Sequence, residues 1–145
     1  MIYIGADHAG YNLKEQIKEW LTSQDLKFED IGAEELNPTD DYPDFAKAVA
    51  DKVTKNPEAK GILACGTAEG MCIAANKEKG IRAIIGYDEF VTRASREHNN
   101  ANVICFGGRS QDPEEVKKLL KIWFETQYSG EERHDRRLAK IEDLE

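Results

Sequence analysis

Leu63-Ala64-Cys65-Gly66-Thr67-Ala68-Glu69-Gly70-Met71-Cys72-Ile73-Ala74-Ala75-Asn76-Lys77 leaves an apolar run, turns through small residues and enters a run with helical spacing. A strand ending at Cys65 and a helix starting near Gly70 make one β-turn-α unit, and the same alternation recurs on both sides of it. Upstream, Ile2 to Ala6 reads as a strand. Leu13, Ile17, Trp20 and Leu21 follow at i, i+4, i+7 and i+8, one face of a helix. Leu26 to Ile31 predicts a second strand, and a polar loop runs to Asp41. Pro43 then opens a helix carrying Phe45, Ala46, Val49, Ala50 and Val53. The central strand is Gly61 to Cys65 and its helix extends to about Lys79. Downstream come strand Arg82 to Gly86, helix Glu89 to His98, strand Val103 to Phe106 and a helix from Pro113 to Tyr128. Ser129-Gly130 breaks that helix. A last helix, Glu131 to Ile141, is too polar to be expected to pack on its own domain.

Five strands, each followed by a helix, predict an α/β fold: a Rossmann-like three-layer sandwich with a five-stranded parallel sheet covered on both faces. Residues 1–145 make one domain. In such folds ligands sit at the carboxyl ends of strands, which directs attention to Asp7-His8, Cys65 to Gly70, His98-Asn99 and Gly107 to Arg109.

The composition narrows the function. Across 145 residues the formal net charge is -8, with 40% hydrophobic and 33% charged residues. That balance argues against nonspecific nucleic-acid binding, which needs many phosphate-facing cations. No apolar run approaches the roughly 18 residues of a membrane span, and the opening residues lack a signal-peptide pattern, so a cytoplasmic protein is expected. The three cysteines form neither a disulfide framework nor a zinc spacing.

Several side chains carry chemistry in one reading and structure in another. The turn after Cys65 suits an anion, because helix-start amides are unpaired there, yet it is neither GxxxxGK[ST] nor GxGxxG. Cys65 is a thiolate base or nucleophile, or else a small buried hydrophobe. Cys72 and Cys105 are expected in the core. Asp7 and His8 face a ligand cleft, or Asp7 caps the following helix. His98 can do no more than complement a helix C-terminus. Arg133 and Arg137, four apart on one helix face, either fork onto a phosphate or pair with Glu131, Glu132, Asp135 and Glu142.

Taken together, "GADHAG" (5–10), "DYPD" (41–44), "CGT...G...IAANK" (65–77), "GIRA" (80–83), "SREHNNANV" (95–103), "FGGR" (106–109) and "ERHDRR" (132–137) resemble the type-B ribose-5-phosphate isomerase family, which includes galactose-6-phosphate and allose-6-phosphate isomerases. The resemblance implies an aldose-ketose isomerase working through a cis-enediolate, without metal, nucleotide or other cofactor. It implies that Cys65 carries the proton between C1 and C2, with Thr67 beside it and His98 assisting ring opening. Amides from Gly66 through Ala68 and Glu69 to Gly70 would hold the enediolate oxygen. Asp7, His8, Tyr42 and Asn99 match sugar contacts; His8, Arg109, Arg133 and Arg137 match the phosphate site. The last two arginines are implied to come from the second subunit of a homodimer, through the exchanged segment 129–145, and pairing of dimers is left open.

Ala68 departs from the family's CGTGxG loop, where a glycine stands. An ordinary φ or a slightly altered loop is therefore expected there, since a positive φ costs alanine about 1 kcal/mol. In glutamate-base relatives the glutamate falls where this chain has Met71, so Glu69 is expected to face solvent; contact with sugar hydroxyls is the sharper alternative. Ribose 5-phosphate is the expected substrate. A hexose 6-phosphate, and a non-catalytic sugar-phosphate-binding protein on the same scaffold, are the alternatives.

Overall fold

A computed structural model describes all 145 residues. Strands β1 (Ile2–Ala6), β2 (Phe28–Gly32), β3 (Lys60–Cys65), β4 (Ala83–Ile85) and β5 (Val103–Gly107) form one parallel sheet in the order β2-β1-β3-β5-β4. The helices are α1 (Tyr11–Ser23), α2 (Tyr42–Val53), α3 (Glu69–Ala75), α4 (Glu89–Glu97), α5 (Pro113–Glu125) and α6 (Glu132–Glu142). Right-handed crossovers explain the layering. Steps from β1 to β2 and from β4 to β5 run one way along the sheet and put α1 and α4 on one face, beside α5. Steps from β2 to β3 and from β3 to β4 run the other way and put α2 and α3 on the opposite face.

Side-chain alternation along the strands fills both layers. Ile62, Ala64, Ile104 and Phe106 join Ile17, Leu21, Leu120 and Trp123 in one core, while Leu63, Cys65, Val103 and Cys105 join Val49, Val53 and Met71 in the other. No helix is long and apolar enough to cross a membrane.

The expected fold is present, with three corrections to its elements. Helix α3 stops at Ala75 rather than Lys79 because the Asn76 side chain turns to β4, accepting from Ala83 N at 2.8 Å and donating to Ala83 O at 2.9 Å. Helix α5 stops at Glu125 rather than Tyr128, because Thr126 is extended (φ -85, ψ 125). The third correction concerns α6, which does pack on its own domain: His134 and Leu138, one turn apart, are both buried. A helix with few apolar residues still docks when those few share a stripe.

Candidate active site

The sheet topology creates a cleft where β1 and β3 send their connections in opposite directions. Three loops meet there. Asp7 Oδ1 accepts from Ala9 N and Gly10 N, both at 3.0 Å, so this carboxylate braces the turn that leads into α1, whose own N-cap, Gly10, has no side-chain cap bond. A Cβ on Gly10 would collide with the Ala64 carbonyl, so only glycine lets α1 start against β3. Gly108 N donates to Cys65 O at 2.7 Å and Arg109 N to Gly66 O at 3.0 Å, joining the β5 loop to the cysteine loop.

Cys65 is the last residue of β3 and is 4% exposed. After it, the backbone N–H groups of Gly66, Thr67, Ala68, Glu69 and Gly70 donate to no acceptor within the chain. The α3 start leaves its amides free, and the turn before it leaves the others free. Ala68 has φ 73 and ψ -29, which corrects the expectation of an ordinary φ. The loop keeps the left-handed backbone that a glycine would favour, at an alanine whose methyl is fully buried. Thr67 and Glu69 are exposed, and Glu69 forms no ion pair, in agreement with a solvent-facing carboxylate at a helix start. A Cβ on Gly70 would lie 2.8 Å from the Tyr42 ring, so Tyr42 covers the loop from the side. The Arg109 guanidinium, with Nη1 3.8 Å from where a Gly66 Cβ would lie, flanks it on the other.

His8 is held by a residue that sequence reasoning missed. Its backbone N–H and its ring Nδ1 both reach Asp40 Oδ1, at 3.0 and 2.7 Å. A carboxylate only accepts, so Nδ1 carries the proton and Nε2 is the free nitrogen. No periodicity links positions 8 and 40, and the loop between them has no repeating pattern that could have signalled the pair. Gln111 was missed for the same reason: its side chain accepts from Gly107 N at 2.8 Å and donates to Gly86 O at 2.6 Å.

Donor atoms of Asp7, His8 and Asp40 lie within 4.8 Å of one another, a spacing that a metal ion could use. Here His8 Nδ1 is engaged with Asp40 Oδ1 and Asp7 Oδ1 with backbone amides, while Asp40 Oδ2 is buried without a hydrogen-bond partner. Cys105 is fully buried, and burial pushes its thiol well above the usual range; it is core, as expected. Cys72 is half-buried and donates to Ala83 O at 3.4 Å.

His98 and Asn99 are elsewhere, which corrects their assignment to the carboxyl ends of the strands. Helix α4 descends from β4 toward the start of β5, so its C-terminal His98 reaches the amino edge of the sheet. There Asn102 N donates to Arg82 O at 3.1 Å and Gly61 N to Asn102 O at 2.8 Å, seating this turn on the first residues of β3 and β4. Arg82 Nε reaches Asn99 O and Asn100 O, both at 3.1 Å. The length of β3 from Gly61 to Cys65, about 13 Å, separates the two groups.

Helix α6 joins this second group. The ring of His134 stacks on that of His98, centroids 4.5 Å apart and planes 11° apart. Burial, then the proximity of His98 and Arg133, holds the His134 pKa below the usual histidine value. Arg133 points outward beside Glu131 at 2.8 Å, and Arg137 is exposed without an ion pair in its own chain. The sequence-predicted residues thus fall in two groups: Asp7, His8, Tyr42, Cys65 to Gly70 and Arg109 at one edge, and His98, Asn99, Arg133 and Arg137 at the other.

A family model described as ribose/galactose isomerase matches residues 2–141. A probable ribose-5-phosphate isomerase B of Mycoplasma pneumoniae is 43% identical over 97% of this chain and 91% of that protein. A D-erythrulose-4-phosphate isomerase of Mycolicibacterium smegmatis is 37% identical over 99% of this chain and 93% of that one. The crystal structure of ribose-5-phosphate isomerase B from Mycoplasma genitalium with bound ribulose 5-phosphate superposes with a TM-score of 0.94, at 41% identity, covering 99% of this chain and 94% of that one.

Proposed function

The chain belongs to the ribose/galactose isomerase family, and on that premise we propose that it interconverts ribose 5-phosphate and ribulose 5-phosphate through a cis-enediolate anchored at the Cys65 loop. The observation that carries this reading is the run of five free amides, Gly66 to Gly70, directly after a cysteine at a strand end. An enediolate places negative charge on oxygen at the transition state, and preorganised N–H donors stabilise that charge without reorganising. Cys65 takes the C2 proton of the open-chain aldose and returns it to C1, while the O2 proton passes to O1, so no atom is gained or lost. Thr67 stands at the loop's open face as the neighbouring hydroxyl. Asp7, His8 and Tyr42 address the sugar, and His8 and Arg109 receive the phosphate.

The working site is composite. The ring-opening His98, with Asn99, Arg133 and Arg137, sits at the other edge of the sheet, too far to serve its own Cys65. A second copy, placing its amino-edge group against the cleft of the first, completes the site and brings two arginines to the phosphate. A chain with net charge -8 can bind an anion there because its cations are concentrated.

The test is an interconversion assay with ribose 5-phosphate beside galactose and allose 6-phosphates. Turnover of the pentose, abolished by Cys65→Ala while product binding by calorimetry persists, is the expected result. Binding of every sugar phosphate with turnover of none would refute the isomerase reading.

A further inference from the structure

His134 has no role in the chemistry described so far, yet its placement is unusual for a histidine. It is 4% exposed, its Nε2 is buried without a hydrogen-bond partner, and its ring stacks on that of His98. Leu138, one turn later, anchors the same face of α6, and Ser129 N donates to Glu97 O at 3.1 Å, tying the start of this segment to the end of α4. The helix is therefore fixed against the residue that precedes His98. Arg133 and Arg137 leave from the outward side, so a single helix turn separates the ring that faces inward from the guanidiniums that face a partner.

We propose that His134 is a positioning residue for His98: a flat, buried plate that fixes the plane of the ring-opening imidazole. This rests on His98 being the ring-opening group. Opening a furanose breaks the C1–O4 bond; a proton arrives on O4 and the anomeric hydroxyl loses one as C1 becomes the aldehyde. The donor must lie in line with O4, and His98, at the C-cap of α4 and only half-buried, has no hydrogen bond from its ring to hold it. The parallel face of His134 supplies that restraint. A second charge on the buried ring would have no compensation, with His98, Arg133 and Arg137 nearby and only Glu131 opposing them. The buried His134 ring thus stays neutral, a flat face against which the His98 ring lies.

The test separates ring opening from everything later. D-Erythrose 4-phosphate has its C4 oxygen esterified and cannot close a furanose ring, so its isomerisation needs Cys65 and the arginines but no ring opening. Wild type, His98→Asn, His134→Ala and His134→Phe are assayed with ribose 5-phosphate and with this tetrose. Should the tetrose turn over too slowly, the ring-independent step is read as solvent deuterium uptake at C1 of ribulose 5-phosphate. His98→Asn is expected to lose the pentose reaction and keep the ring-independent one; if it does not, the ring-opening assignment itself fails. Given that, His134→Ala lowers kcat/KM on ribose 5-phosphate about 10- to 100-fold, the scale of a misaligned catalytic group, and changes the ring-independent rate less than about threefold. His134→Phe, which keeps the plate, restores the pentose rate to within about threefold of wild type. Equal losses on both readouts in His134→Ala would mean that the ring merely holds α6 and its arginines. No loss on either would mean that it does nothing for His98. Either result overturns the proposal.

Discussion

Complementation between two inactive chains tests the composite site most directly. Cys65→Ala removes the proposed base from one edge of the sheet, and His98→Ala removes the proposed ring-opening group from the other. Random reassortment of equal amounts of the two chains into closed two-fold dimers makes about half of all dimers mixed. In a mixed dimer, one site draws Cys65 from the His98→Ala chain and His98 from the Cys65→Ala chain, and is intact. The other site lacks both groups. Half the dimers with half their sites intact give about a quarter of wild-type turnover in the unfractionated mixture and about half in the purified mixed dimers, from parents that separately have almost none. The chains carry different affinity tags, are unfolded and refolded together, and the doubly tagged fraction is purified before assay. If base and ring-opening group belonged to one chain, every site in the mixed dimer would lack one of them. A doubly tagged fraction with no activity above the parents would therefore refute the argument from sheet topology.

Three further outcomes follow from local structure. Lys14 is wholly buried, with Nζ donating to Asp30 and to the Ala33 carbonyl at 2.7 Å each. Lys14→Met should cost about 2 kcal/mol in urea unfolding, below the 3–5 of an abandoned buried charge, because Asp30 keeps Lys18 at 2.7 Å and chiefly the carbonyl is orphaned. Burial alone would raise the Asp30 pKa, but hydrogen bonds from Lys14, Lys18 and Gly32 N outweigh it and hold the carboxyl below its ordinary value of 3.8. A lowered folded-state pKa means stability that is present above about pH 4 and lost as pH falls through the folded value, so Asp30→Asn should lie below wild type at pH 7 and converge with it in acid; a gap unchanged by pH would contradict this. Ala68→Gly relieves a left-handed alanine, about 1 kcal/mol, but gives up a buried methyl and gains unfolded-state entropy of similar size. The melting free energy should move by less than about 1 kcal/mol and kcat/KM by less than about twofold, since the amide is kept; a tenfold loss of activity would show that the methyl itself shapes the site.

Much of the fold was legible because both of its periods are local. Ile62, Leu63, Ala64 and Cys65 alternate between two cores, and Leu13, Ile17 and Leu21 repeat along one stripe. Asn76 was not legible as a helix stop, because its effect depends on a strand that arrives seven residues later. Ala68 misled in a physically instructive way. Residue type suggested an ordinary φ, yet the turn from β3 into α3 holds position 68 in the left-handed region, and the alanine accepts the strain that geometry imposes.

The candidate residues could be named from the sequence, but their division between two edges of the sheet was missed. His98 ends a helix, and a helix after a parallel strand always returns to the sheet's opposite edge; that rule, applied to α4, separates His98 from Cys65 before any coordinates are consulted. Chemistry common to both residues had drawn them together in the sequence reading. The polar face of α6 was a true signal attached to a wrong inference: its arginines do leave the domain, but the helix is held at home by His134 and Leu138. A helix that docks on its own chain through one stripe and offers cations from the next can be placed accurately before any partner arrives. In the proposed dimer two such edges need only meet for the site to be complete, so that the cost of ordering the catalytic groups would largely be met when each chain folds.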